Sequence, residues 1–269
     1  MRGLSRESFA AVEERFNAVA GSADLARLAD DLFAVADLLD REHGLRRALS
    51  DPARVAEQKA QTARILLEGK VSEAALDTAV AAVEARWARS GDLADALERL
   101  GVVAASAAAE AGSQLDSVED ELFRFGRIVD ANPDLRRALT DTGVSAERKL
   151  ELLGTLLDGK VTPVSLLLIR QVVAHPRGRS LEKGLAEFGR LVAEQRQRLV
   201  AVVRSAVTLS EEQKQRLAAW LRSSYGRDVH LNVEVDPRVL GGFSVRIGDE
   251  LIDTTIAGRI EEVRRRLAG

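Results

Sequence analysis

The stretch Val229–Leu267, VHLNVEVDPRVLGGFSVRIGDELIDTTIAGRIEEVRRRL, decides how this chain is read. Val229, Leu231, Val233 and Val235 alternate with polar residues, the period of a half-buried strand. Asp236-Pro237 stops the ladder, because proline has no N–H to donate. Gly241-Gly242 permit a tight bend, and Phe243, Val245 and Ile247 resume the alternation. Gly248-Asp249 suits a two-residue hairpin, since both tolerate positive φ. Leu251 and Ile252 fall on the return strand. Ile256, Ile260, Val263 and Leu267 follow at spacings of four, three and four, one stripe of a closing helix.

Just upstream, Leu199 to Val207 is a valine-rich strand. Ser210 caps the next helix, about Glu211 to Ser224, with Gln213 completing a capping box. Residues 199–269 therefore read strand, helix, strand, hairpin, helix, a small α+β domain. The preceding chain shows helical spacing throughout. Phe9, Val12, Phe16 and Val19 mark a first helix ending near Gly21-Ser22, and Leu25, Leu28, Leu32, Val35 and Leu39 a second, broken at Gly44. A short turn Leu45–Leu49 stops at Asp51-Pro52. Helices over Ala53–Leu67 and Ser72–Trp87 follow, and Ser90-Gly91 precedes another.

That pattern then recurs. Leu45-Arg46-Arg47-Ala48-Leu49-Ser50-Asp51 matches Leu135-Arg136-Arg137-Ala138-Leu139-Thr140-Asp141, an offset of 135 − 45 = 90. Glu57-Gln58-Lys59 matches Glu147-Arg148-Lys149, and Leu67-Glu68-Gly69-Lys70-Val71 matches Leu157-Asp158-Gly159-Lys160-Val161, in the same register. Asp31-Leu32-Phe33 likewise matches Glu121-Leu122-Phe123. Three or more blocks holding one register indicate a duplicated helical unit, longer than a solenoid repeat. The expected fold is mainly α: bundles over 1–91 and 92–198, then the domain 199–269. One helix, roughly Asp92 to Ala111, closes the first bundle and opens the second. Ser180 to about Arg198 is the last long helix.

The composition is that of a globular protein, 46% hydrophobic and 30% charged, with only 4% aromatic residues. A net charge of −3 offers no basic field for nucleic acid. The absence of cysteine excludes disulfides and thiolate chemistry. MRGLSRESFAAVEERF lacks an apolar signal core, and the longest apolar runs are too short to cross a bilayer. A soluble, intracellular chain is expected, reaching a membrane only through partners.

Candidate chemistry is sparse. Gly154–Lys160 nearly matches a phosphate-binding loop, but Val161 stands where the magnesium-binding hydroxyl belongs. Leu150, Leu153, Leu156 and Leu157 read as helix rather than strand. A helix C-terminus capped by Gly159 is the better reading. His43, His175 and His230 form no ligand pair, and His175 before Pro176 marks a helix end. Glu13-Glu14, Asp30-Asp31 and Glu261-Glu262 read as solvated helix faces, and Arg264-Arg265-Arg266 as a solvated helix end. Trp87 and Trp220 read as core residues of amphipathic helices. No catalytic, cofactor or metal residue is assigned. The small face Ala79, Val80, Ala82 and Val83 reads mainly as bundle interior, with part of it able to receive a partner helix.

In order and spacing, Asp236-Pro237, Gly241-Gly242, Ile247-Gly248-Asp249, Asp253 and the closing helix resemble the C-terminal signature of the delta (OSCP) family of F-type ATP synthases. The resemblance covers about Asp92 to Gly269. It implies a non-catalytic, cofactor-free peripheral-stalk, or stator, subunit of a proton-translocating synthase. Such a subunit sits at the cytoplasmic face of the cell membrane, held there by its partners. It implies that the bundle grips N-terminal tails of alpha subunits between its first and fifth helices. Here that is Leu100 and Val103 facing Leu166, Ile169 and Val173, and in the extra unit Phe9, Val12 and Phe16 facing Leu76, Val80 and Val83. It further implies that b subunits engage the C-terminal domain, at Leu251, Ile256, Ile260 and Val263. The family has one bundle where this chain has two. A generic helical adaptor would share the bundles but not the hairpin signature, and a nucleotide-binding enzyme would need Lys160 on a loop after a strand.

Overall fold

A computed structural model describes residues 3–197, 199–225, 229–236, 239, 242–247 and 250–253. The chain divides into two compact units, Met1–Gln195 and Arg196–Gly269. The first is helical: α1 (Leu4–Ala20), α2 (Leu25–Arg41), α3 (His43–Ser50), α4 (Ala56–Leu67), α5 (Glu73–Glu84), α6 (Ser90–Ala111), α7 (Leu115–Ala131), α8 (Pro133–Thr140), α9 (Ala146–Leu157), α10 (Pro163–Ala174) and α11 (Leu181–Gln197).

The duplication is structural. Helices α7 to α10 begin and end 90 positions after α2 to α5; for the first pair, 115 − 25 = 131 − 41 = 90. The chemistry of the turns repeats with it. Asp51 Oδ1 accepts the Ala53 N–H at 2.9 Å, and Asp141 Oδ1 accepts that of Gly143 at 2.8 Å, each an Asx turn before the next helix. Asp31 Oδ2 accepts the Ser72 N–H at 2.7 Å, and Glu121 Oε2 accepts that of Thr162 at 2.8 Å, so a carboxylate on one helix ties down the start of another in both units. Gly69 and Gly159, at φ 71° and 67°, turn the chain out of α4 and α9.

Helix α6 belongs to both halves. It packs on α1, α2, α3 and α5, and also on α7 and α10. Leu93, Leu97, Leu100, Val102 and Ala104 along it are 0% exposed. One apolar core runs without a break from Phe9 to Val192. At Gly101 the helices come so close that a Cβ would lie 2.8 Å from the Phe33 ring of α2.

The structure revises several expectations. The chain bends at Glu42 (φ −97°, ψ 73°), not Gly44, which lies inside α3. Glu42 closes α2 through its N–H to Leu38 and opens α3 through its carbonyl to Arg46, while Gly44 sits in a first turn that needs no intrahelical N–H bond. Helix α4 starts at Ala56 rather than Ala53, because the Asx turn at Asp51 holds the intervening residues off the helix. Helix α5 ends at Glu84, so Trp87 is buried beyond it rather than within it, its Nε1 donating to the Ala82 carbonyl at 2.8 Å. Asp31 is no solvated residue but 8% exposed, since it is the carboxylate that holds Ser72. Trp220 is 49% exposed, because the inner face of its helix is taken by Leu217 and Leu221.

In the C-terminal unit, β1 (Leu199–Ser205) leads through α12 (Glu211–Tyr225) to β2 (Val229–Val235), then β3 (Phe243–Ile247) and β4 (Glu250–Asp253). The sheet order is β2-β1-β3-β4, with β1 parallel to β2 and antiparallel to β3. Strand β1 stops at Ser205, short of Val207, which lies in a bend and is 66% exposed. The capping box forms as read: Ser210 N–H donates to Gln213 Oε1 at 2.8 Å, and Gln213 N–H to Ser210 Oγ at 3.3 Å. Ala201, Val203, Leu217, Leu221, Val245 and Ile247 make the core, with Val229, Leu231 and Val233 packed on it. Val235 ends its strand 51% exposed instead of completing the buried alternation.

Candidate partner-binding surfaces

The two grooves proposed by resemblance lie between helices that do pack together, α1 on α5 and α6 on α10. Their lining is already used by the core. Phe9, Val12, Phe16, Val80 and Val83 are 9%, 1%, 2%, 6% and 2% exposed in the first unit. Leu100, Val103, Ile169 and Val173 are equally buried in the second. Leu76 and Leu166 are half-buried and occupy the same position in the two units, 166 − 76 = 90. They are the most accessible residues of each set. Arg99 on α6 reaches the first set, its guanidinium 5.2 Å from the Phe9 ring centre and 3.3 Å from Glu194.

Between the halves lies an ion network that no local pattern announces. Arg177 reaches Asp40 at 2.8 Å and Asp95 at 2.9 Å, and Arg179 reaches Glu98 at 2.8 Å and Glu187 at 3.0 Å. Asp37 on α2 accepts from Gln171 at 3.1 Å and pairs with His175 at 3.0 Å. Arg46 closes the set on Asp40 at 3.0 Å. Burial pushes the carboxyls of Glu98 and Asp37 above their ordinary values, against the opposing pull of Arg179 and Arg177 on the first and His175 on the second. The network joins α2 and α3 of the first repeat to the α10–α11 loop of the second, through α6. Ser5 on α1 is tied to the start of the same shared helix, its Oγ donating to Asp92 Oδ2 at 2.7 Å.

The remaining candidates resolve into structural roles. Gly154–Lys160 is the end of a helix, and Lys160 Nζ donates to the Leu156 carbonyl at 2.9 Å, capping it. His175 follows the last residue of α10, as expected of a helix end. His43 is exposed at the start of α3. Among the described residues no three His, Cys, Asp or Glu side chains cluster to hold a metal, and no helix is long and apolar enough to cross a membrane.

In the C-terminal unit, the Asp236 N–H bonds the Ser205 carbonyl at 2.9 Å where the parallel ladder stops. Gly242 holds φ 78°, a conformation glycine adopts freely. Ile247 pairs with Glu250, and Asp253 with Ser244, so the hairpin has the predicted register. Leu251 is on β4. Pro237, Gly241, Gly248, Asp249, Ile256, Ile260 and Val263, with the closing helix, lie outside the described residues.

Residues 102–267 match the family model described as the ATP synthase delta (OSCP) subunit. The chain is 51% identical to the ATP synthase subunit delta of Thermobifida fusca and 52% identical to that of Streptomyces griseus, in each case over 100% of both chains. The corresponding protein of Acidothermus cellulolyticus is 46% identical, again over 100% of both. The family match begins inside α6, whereas these relatives align along the extra first unit as well.

Proposed function

The chain belongs to the ATP synthase delta (OSCP) family, and from that premise we propose that it is a non-catalytic strut of the peripheral stalk. It joins alpha-subunit tails of the catalytic head to membrane-anchored b subunits, at the cytoplasmic face of the membrane. The observation that carries this reading is the single core through α6 together with the ion network across it. A stator resists torque by not yielding. Two bundles sharing a helix, and pinned by buried ion pairs, deform less than two bundles on a linker.

An alpha tail, as an amphipathic helix, would lie along the lips at Leu76 and Leu166, with the buried residues of each groove setting the floor. The b subunits would engage the C-terminal unit around Leu251, Ile256, Ile260 and Val263. The test is purification of the tagged full-length chain from native membranes. Alpha, beta and b subunits are expected to come with it, and their absence would overturn the stalk assignment. Leu76→Arg and Leu166→Arg then separate the grooves. Each should weaken capture of alpha-tail peptides if its groove is used, and unchanged capture by Leu76→Arg would confine alpha binding to the second unit.

A further inference from the structure

The duplication gives this protein an internal reference, and the two repeats differ beside α3 and α8. In the second unit an open cleft of about 610 Å³ lies between α8, the start of α9, the end of α10 and the start of α11. Its floor is apolar and buried, formed by Val172, Val173 and Leu181. Arg136, Arg137 and Lys149 stand at its rim, the arginines exposed and the lysine half-buried. Glu182 lies on the α11 side near Arg136, and Arg137 pairs loosely with Asp134 at 3.5 Å.

The corresponding residues of the first unit are Ala82, Val83, Arg46, Arg47 and Lys59, each 90 positions earlier. There the site is closed. The Trp87 indole folds back with Nε1 on the Ala82 carbonyl and is 5% exposed. Lys59 is 3% exposed, its Nζ 3.4 Å from the Ala85 carbonyl. In the second unit the counterpart of Trp87 is Arg177. At φ 50°, followed by Gly178 at 72°, it is directed to Asp40 and Asp95 instead. Val172, the counterpart of the Ala82 that holds the Trp87 indole, lines the open cleft instead.

We propose that this cleft docks an acidic segment of a partner protein through one aromatic side chain. The ring takes the position that Trp87 holds in the first unit, and flanking carboxylates meet Arg136 and Lys149. A concave apolar floor with a cationic rim selects this chemistry. The ring supplies the buried area, and the charges supply orientation and selection against basic peptides. The site lies on the α8–α9 side of the second unit, apart from the lip at Leu166, and does not depend on the stalk reading.

The test uses the full chain and a fluorescein-labelled Asp-Glu-Trp-Glu-Asp peptide, read by polarisation. Saturable binding is expected, with movement of the Val172 and Val173 methyl resonances. Replacing the peptide's tryptophan by alanine should abolish the signal. Lys149→Glu with Arg136→Glu should weaken binding about tenfold, a few-fold for each exposed charge pair. These are surface positions, so an unchanged circular dichroism melt separates loss of binding from loss of fold. The proposal is overturned by no saturable binding, by equal binding of the alanine peptide, by complete displacement with orthophosphate, which would mark a simple anion site, or by binding that leaves both valine methyls unmoved.

Discussion

At the scale of single residues, the side chains that matter most are buried charges whose partners lie far away in sequence. Asp31 and Glu121 do the same work in the two units, each accepting a backbone N–H at the start of a helix. Asp31→Ala and Glu121→Ala should each cost about 1 kcal/mol, the usual loss of a capping acceptor, when measured by urea unfolding. A loss confined to one unit would show that the tie is not equivalent in both. Glu98 is the more sensitive site, at 3% exposure between Arg177 and Arg179. Truncating it to alanine takes one carboxylate from both arginines, which keep Asp40, Asp95 and Glu187, and should cost about 1–3 kcal/mol. Its pH dependence has a definite sign. Burial raises its folded pKa above that of an ordinary glutamate, so in the window just above the ordinary value the folded state holds more protons than the unfolded. Stability carried by this group is therefore greatest below that window and is lost as pH rises through the folded pKa. Relative to Glu98→Gln, the unmodified chain should lose stability on going from pH 4.5 towards neutrality, and a difference curve rising with pH would contradict the assignment.

At the scale of elements, most boundaries were legible because they are set by local chemistry. The capping box at Ser210 and Gln213, the glycine exits at Gly69 and Gly159, and the hairpin between Ile247 and Glu250 all form where the residues indicate. What misled was equally local. Gly44 reads as a breaker but is tolerated in a first turn, and the periodicity ahead of Ala56 is overridden by the Asp51 side chain. What escaped entirely was long-range. Arg177 meets Asp40 across 137 residues (177 − 40) and Arg179 meets Glu98 across 81 (179 − 98), and no spacing rule predicts such pairs. The same holds for Phe33 and Phe123, counterparts by sequence. One ring is 3% exposed against Gly101 and the other 66% exposed, because α6 covers only the first. That seam can be tested. Gly101→Ala must displace the Phe33 ring from a packed core, costing about 1–3 kcal/mol, against which improved helix propensity returns at most about 1. A net loss in thermal unfolding is expected, and Gly101→Ala with Phe33→Leu should recover part of it. An unchanged melt would show that α2 and α6 are free to separate.

At the scale of the molecule, the question is whether the two bundles are two cooperative bodies or one. Sequence periodicity argues for two, since each repeat carries a full set of helices. The shared helix argues for one. Leu93, Leu97 and Leu100 are wholly buried on α6, and α2 packs along its length. Each such leucine is worth about 1.5–3 kcal/mol, and three together rival the 5–15 kcal/mol that holds an ordinary domain. A fragment of residues 1–89 lacks all three and leaves Phe33 without its seat. It should therefore show no cooperative thermal transition and a far-ultraviolet signal well below that of five intact helices. Extending the fragment to residue 111 restores the seat and should restore a sharp transition. Residues 1–195 should melt in one calorimetric step, with van't Hoff and calorimetric enthalpies in agreement. The comparison bears on mechanism, because torque transmitted through a joint that unfolds independently would be dissipated there, whereas a joint built from a shared helix fails only when both halves do. Cooperative melting of residues 1–89 on their own would make the first bundle a separate body, and the strut would then have a hinge at α6.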